Sequence, residues 1–260
     1  MERKKIKSPL KILLSNDDSY DSPLLAITID ALKELGDLYV VVPADEQSWK
    51  GKAMTRKTLL AAESIPLQGV PAWKITGTPA DCTNLAMHNL LPEKPDIVVS
   101  GTNIGKNVGT GFIFSSGTIG ACIEANISGI PAVALSQELE REDFIHWNNH
   151  REFPLETHNL LQERLNNYIP KIWKHLSNFK LDARTTWNIN FPLPRFARSE
   201  IIRTNVGQSY YENCFKPKSD GYEFALNDAT IDATEGTDDR TLKDGNISAT
   251  LLDIRNFGQQ

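Results

Sequence analysis

Cysteine is scarce in this chain. Cys82, Cys122 and Cys214 are the only three in 260 residues, and none belongs to a Cys-x-x-Cys pair. An odd, widely spaced set of this kind argues against a disulfide framework or a cysteine-based zinc site and suits a reducing cytosol. Long apolar runs are missing as well. The basic opening MERKKIKSP leads only to Ile12, Leu13 and Leu14, far short of a signal peptide or a membrane span, so a soluble cytoplasmic protein with no membrane partner is expected. Neither sign of charge is in large excess: 28 Lys+Arg stand against 33 Asp+Glu, a net charge of −5. That balance supplies no broad electrostatic footprint for a nucleic-acid backbone, so no nucleic-acid partner is expected and small anionic ligands stay open.

The common catalytic fingerprints are also absent. Gly101 and Gly105-Lys106-Asn107 miss the phosphate loop by one residue of spacing and by its terminal Ser/Thr. Gly109-Thr110-Gly111 is followed by Phe112, Ile113 and Phe114, with no third glycine for a dinucleotide fold. There is no Gly-x-Ser-x-Gly elbow. His146 and His150 are four apart but lack the His-Glu-x-x-His arrangement.

What is present begins at Ile12-Leu13-Leu14-Ser15-Asn16-Asp17-Asp18, a short apolar run that ends in two adjacent carboxylates. A run of this kind reads as a buried parallel strand. Asp17 and Asp18 then lie just past its carboxyl end, where open α/β sheets bind ligands. Ser22-Pro23 predicts a helix start, with Leu24, Leu25, Ile27, Leu32 and Leu35 on helical spacing and Gly36 at its end. A β-branched strand over 38–42 completes a βαβ unit. Its end carries Asp45-Glu46-Gln47-Ser48, on the same sheet edge as the acidic pair. The basic stretch 49–57 reads as a mobile surface loop beside that crevice.

Further on, Thr78-Pro79-Ala80-Asp81 has the spacing of a capping box, which makes Asp81 structural. A strand over 95–100 delivers Asn103 to the shared edge, and Ser116-Gly117-Thr118 opens a helix whose N–H groups and hydroxyls could face an anion. A strand over 131–135, an amphipathic helix over 155–176 and a half-buried strand carrying Trp187, Ile189 and Phe191 follow. Beyond 200, Asp220-Gly221 and Asp244-Gly245 predict hairpins. The expected organisation is one domain over 1–260, with 200–260 a hairpin-rich C-terminal extension.

Asp17, Asp18, Ser48 and Asn103 form an all-oxygen set without His or Cys, suited to a hard divalent cation such as Mg²⁺ or Mn²⁺ and poorly matched to zinc.

The stretches LLSNDDS, PADEQSWKGKAMT, KITGTPADC, VVSGTNIGKNVG, SSGTIGACIEA, GIPAVALS, WNINFP and EGTDDRTLKDGNISATLL together resemble the SurE family of survival-protein 5′/3′-nucleotidases. The resemblance implies a Rossmann-like three-layer α/β/α fold with a mostly parallel sheet and a C-terminal β-hairpin appendage. It implies a divalent metal, Mg²⁺ or Mn²⁺, held by Asp17, Asp18, Ser48 and Asn103, with Asp17 and Asp18 as the catalytic carboxylates. Asn107, Ser116, Gly117 and Thr118 match the family's phosphate-holding residues. The implied reaction is hydrolysis of nucleoside 5′- and 3′-monophosphates to nucleoside and phosphate, with polyphosphate as a further candidate substrate. The alternative is a non-catalytic nucleotide- or metal-binding protein that retains the pocket. A homodimer or homotetramer is also implied. The chain departs from the family where it has Ser19 and Trp49 in place of the usual glycines, and where Phe114-Ser115-Ser116-Gly117 runs one residue longer than the family's Tyr-Ser-Gly.

Overall fold

The computed structural model describes residues 9–177, 181–196, 198, 200–226 and 229–256. Among these, nine strands form one mixed, mostly parallel sheet. In chain order the first half consists of β1 (Lys11–Ser15), α1 (Pro23–Leu32), β2 (Asp37–Pro43), β3 (Ala62–Ser64), β4 (Ala72–Ile75), α2 (Pro79–Leu85), β5 (Ile97–Ile104), α3 (Thr110–Ser115), α4 (Gly117–Ile127) and β6 (Ala132–Gln137). Then come α5 (Arg141–His150), α6 (Leu155–Ser177), β7 (Thr185–Phe191), β8 (Ile201–Thr204), β9 (Ser209–Tyr211), β10 (Phe215–Lys218), β11 (Gly221–Phe224), β12 (Ala229–Ile231), α7 (Asp238–Lys243) and β13 (Ile247–Asp253).

The sheet order is β3-β4-β2-β1-β5-β6-β7-β13-β8. Alternate residues of β1 feed opposite cores. Ile12 and Leu14 pack with α1 and α6 residues, while Leu13 packs with Cys82 of α2 and Ile119 of α4. The three layers expected from the sequence are therefore present. From β1 the chain first builds outward through β2 and β4, then returns to place β5 on the other flank of β1. Such a reversal leaves a crevice outside the carboxyl ends of the two central strands.

Several local expectations change. Helix α1 stops at Leu32 with Lys33 as its cap, ahead of Gly36. Past Leu85, α2 widens into a π turn, Ala86–Leu90. Strand β7 is buried on both faces, not one, because it lies inside the sheet between β6 and β13 with α4 against it. The Asp220-Gly221 turn does join the β10 and β11 hairpin. Asp244, however, caps α7 and leads into β13, which pairs with β7 and β8 in the main sheet. Part of the segment beyond 200 thus completes the central sheet, and residues 257–260 lie outside the described residues. Helix α5 was not anticipated. No helix among the described residues is long and apolar enough to cross a membrane.

Candidate metal and phosphate site

Two loops and one strand converge at the crevice. Asp17 and Asp18 follow β1 directly, and both are almost completely buried. Asp17 is gripped from the start of α4: its Oδ1 accepts from the Thr118 hydroxyl at 2.6 Å and its Oδ2 from the Thr118 N–H at 3.1 Å. The approach is close enough to require glycine next door, since a Cβ on Gly117 would lie 2.8 Å from Asp17 Cβ. Asp18 Oδ2 accepts from the Ile104 N–H at 2.8 Å, at the end of β5. The chain then turns through Ser19, whose φ of +77° is a backbone state that glycine holds without strain.

Asn103 donates its side-chain amide to the Gly105 carbonyl at 3.0 Å, which fixes the carboxamide and leaves its oxygen as the group able to meet a cation. Ser48 donates to Glu46 Oε1 at 2.8 Å, so its lone pairs remain acceptors. Asn107 is locked from both sides: its N–H donates to Asn190 Oδ1 at 2.8 Å, its carbonyl accepts from Asn188, and its side-chain amide donates to Ser136 Oγ at 2.9 Å. Ser116 caps α4 by accepting from the Ile119 N–H at 3.2 Å.

A cleft of about 660 Å³ opens over this floor, and Asp17, Ser48, Asn103, Asn107 and Ser116 all line it. Asp18, Gly117 and Thr118 do not. In the structure both donors of Thr118 are directed at Asp17. Ser115 and Ser116 can be told apart. Ser115 donates to the Phe112 carbonyl at 3.3 Å, whereas Ser116 uses a lone pair for its cap, which leaves its O–H proton able to donate.

Burial raises the carboxyl pKa of Asp17, with the Thr118 bonds opposing it. Asp18 is pushed well above the usual carboxylate range, first by burial and then by the charge of Asp17. The nearby cation, Arg151, pairs with Glu46 at 2.7 Å and reaches only the backbone oxygen of Asp18, at 3.3 Å. Lys106 lines the cleft but is committed to Glu138 at 2.7 Å and Asp239 at 2.9 Å. Two buried carboxylates thus share a site without an ion-pair partner for either among the described residues. A hard divalent cation with oxygen donors fits that charge balance and donor set.

Sequence reasoning missed Arg151 and the aromatic residues Phe144 and Trp147, which α5 brings to the cleft or its edge. The available signal was Glu142 and Asp143 in the first turn and His150 in the last, with Trp147 and Arg151 four apart. In the structure the Arg151 guanidinium lies 4.3 Å from the Trp147 ring centroid. His146 and His150 sit on this same helix, with ring centroids 4.6 Å apart.

Comparison with known proteins agrees with this architecture. The family described as survival protein SurE matches residues 12–213. A "5'-nucleotidase SurE" of Geotalea uraniireducens is 34% identical over 256 residues, covering 95% of each chain. A protein of the same name from Methanocella arvoryzae is 32% identical over 240 residues, covering 89% of this chain and 87% of the relative. The crystal structure of SurE protein from Aquifex aeolicus superposes with a TM-score of 0.69 at 28% identity and covers 95% of both chains. With the match spanning most of its length, and with the sheet and crevice arranged as described, this chain belongs to the survival protein SurE family.

Proposed function

We propose that this protein is a divalent-metal-dependent 5′-nucleotidase that hydrolyses nucleoside monophosphates to nucleoside and phosphate. The observation that carries this reading is the buried Asp17–Asp18 pair, with Asp17 lining an open cleft beside the start of α4 and Asp18 directly behind it in sequence. The names of the relatives supply the substrate class. Asp17, Asp18, Ser48 and Asn103 would hold Mg²⁺ or Mn²⁺. A cation bound there supplies Lewis acidity, drawing charge from a phosphate oxygen and making water a competent nucleophile at neutral pH.

The remaining chemistry belongs to side chains of this chain. Thr118 keeps Asp17 oriented through two hydrogen bonds, and the Ile104 N–H does the same for Asp18. Asn107 and Ser116 face the cleft and would donate to the phosphoryl oxygens, where fixed donors are most effective. Gly117 contributes by having no side chain to displace Asp17. Nucleoside 3′-monophosphates and polyphosphate are further substrates within the same chemistry. The unpaired cysteines suit a cytoplasmic enzyme.

The test is phosphate release from 5′-AMP, 3′-AMP and polyphosphate with Mg²⁺, Mn²⁺ or EDTA. Activity on 5′-AMP that is lost in EDTA is expected. Full activity in EDTA would overturn the metal assignment. Metal binding without phosphate release from any nucleotide would leave the binding-protein alternative.

A further inference from the structure

The cleft has an aromatic side that the phosphate chemistry does not use. Trp49, Phe112 and Phe224 line it from three separate elements, and α5 adds Phe144 and Trp147. Trp49 is the centre of this group. Its ring lies 5.7 Å from Phe112, 6.1 Å from Tyr211 and 5.0 Å from Phe224, at interplanar angles of 65°, 78° and 57°. None of these rings stacks parallel on the indole, and Trp49 remains 39% exposed.

The backbone makes Trp49 an expensive residue at this position. Its φ is +62°, a left-handed state that glycine adopts freely and a bulky side chain does not. The loop around it is anchored at both ends. The Gln47 N–H donates to the Asp17 carbonyl and the Gly51 N–H to the Ser115 carbonyl, both at 2.8 Å. Gly51 O seats against α4 so closely that a Cβ on Gly120 would lie 2.2 Å from it. Trp49 therefore lines the cleft directly next to Ser48, on a loop tied to Asp17 and to Ser115.

Resting on the nucleotidase reading, we propose that Trp49, braced by Phe112 and Phe224, is the platform on which the nucleobase of the substrate stacks. A heteroaromatic base is flat, apolar on its faces and tethered to the phosphate that the floor would hold. Stacking on indole is tolerant of base identity because every base presents a π-face. The platform accordingly accepts purines and pyrimidines and favours the larger purine surface.

The experiment compares wild type, Trp49→Gly and Trp49→Phe as full-length, metal-supplemented proteins. Glycine suits the +62° backbone, so that variant keeps its fold, which a melting curve verifies. The readout is kcat/KM for AMP divided by kcat/KM for ribose 5-phosphate, which has no base. Trp49→Gly is expected to lower this ratio about tenfold or more, through KM for AMP, with Trp49→Phe restoring most of it. Calorimetry should show weaker adenosine binding in Trp49→Gly by a similar factor. An unchanged ratio, or equal losses on both substrates, overturns the platform while leaving the nucleotidase reading intact. If wild type releases no phosphate from AMP, that reading falls. The adenosine titration then decides the platform alone: weaker binding in Trp49→Gly supports it, and equal or absent binding in both proteins overturns it.

Discussion

At the scale of single residues, the site sets stability against function. Asp18 is buried, lies beside a second carboxylate and receives one neutral hydrogen bond, from Ile104. Its charged form is therefore disfavoured in the folded protein without metal. An asparagine there removes the charge and can still accept from Ile104, so Asp18→Asn should melt above metal-free wild type. Asp17 accepts from two Thr118 donors. An amide in its place can keep its oxygen for the Thr118 N–H but must turn its N–H₂ on the Thr118 hydroxyl, which then accepts and gives up its own donated bond, so Asp17→Asn loses about 1 kcal/mol of that relief. Both variants should lose metal-dependent hydrolysis. Saturating Mg²⁺ or Mn²⁺ should raise the melting temperature of wild type, by an amount equivalent to about 2.7 kcal/mol at a hundredfold excess over Kd, and should raise that of neither variant comparably. Early melting of both variants, with retained turnover, would assign the pair a structural role.

At the scale of elements, α2 supplies the contrast. Asp81 is as buried as Asp17, yet it closes a capping box with Thr78 and also accepts from the Thr55 N–H at 3.1 Å. Asp81→Ala should cost about 1 to 3 kcal/mol, through the lost cap and an orphaned N–H. Its melting temperature should fall while AMP turnover measured well below melting stays at the wild-type level. A turnover loss without a melting change would move Asp81 into the site. This acid was legible in the sequence because its capping partner Thr78 lies three residues before it, in a pattern of fixed spacing; its bond from Thr55 was not. β1 and its terminal carboxylates were legible for a similar reason, an apolar run stopping abruptly at charge. Contacts between loops distant in sequence were not. Nothing local reveals that Thr118 turns both donors on Asp17, or that Gly51 bonds to Ser115. Helix α5 escaped notice because its exposed, charged surface gives a weak apolar period, with Trp147 its one fully buried side chain. β13 was read as part of a hairpin because Asp-Gly marks a helix end as well as it marks a turn.

At the scale of the whole molecule, the unsettled surface is the β10 and β11 hairpin. Among the described residues its two strands pair only with each other and join neither the main sheet nor the β9 and β12 ribbon. A lone two-stranded ribbon is marginal in water. This one also carries exposed Phe215 and Tyr222, the latter 79% exposed. Aromatic side chains on an unpaired edge favour burial against another protein surface, and in a homo-oligomer that surface belongs to a second copy of the chain. We therefore expect a dimer or tetramer, with light scattering at micromolar concentration giving a multiple of 29.0 kDa. A single 29.0 kDa species would show that the ribbon is self-sufficient. The same hairpin reaches the site, because β11 supplies Phe224 to the cleft beside Trp49. If a neighbouring copy steadies the hairpin, Tyr222→Lys should shift the protein toward monomer and raise KM for AMP, and specific activity should fall on dilution. Substitution that yields a monomer with an unaltered KM would separate the two and leave the hairpin with a role in assembly alone.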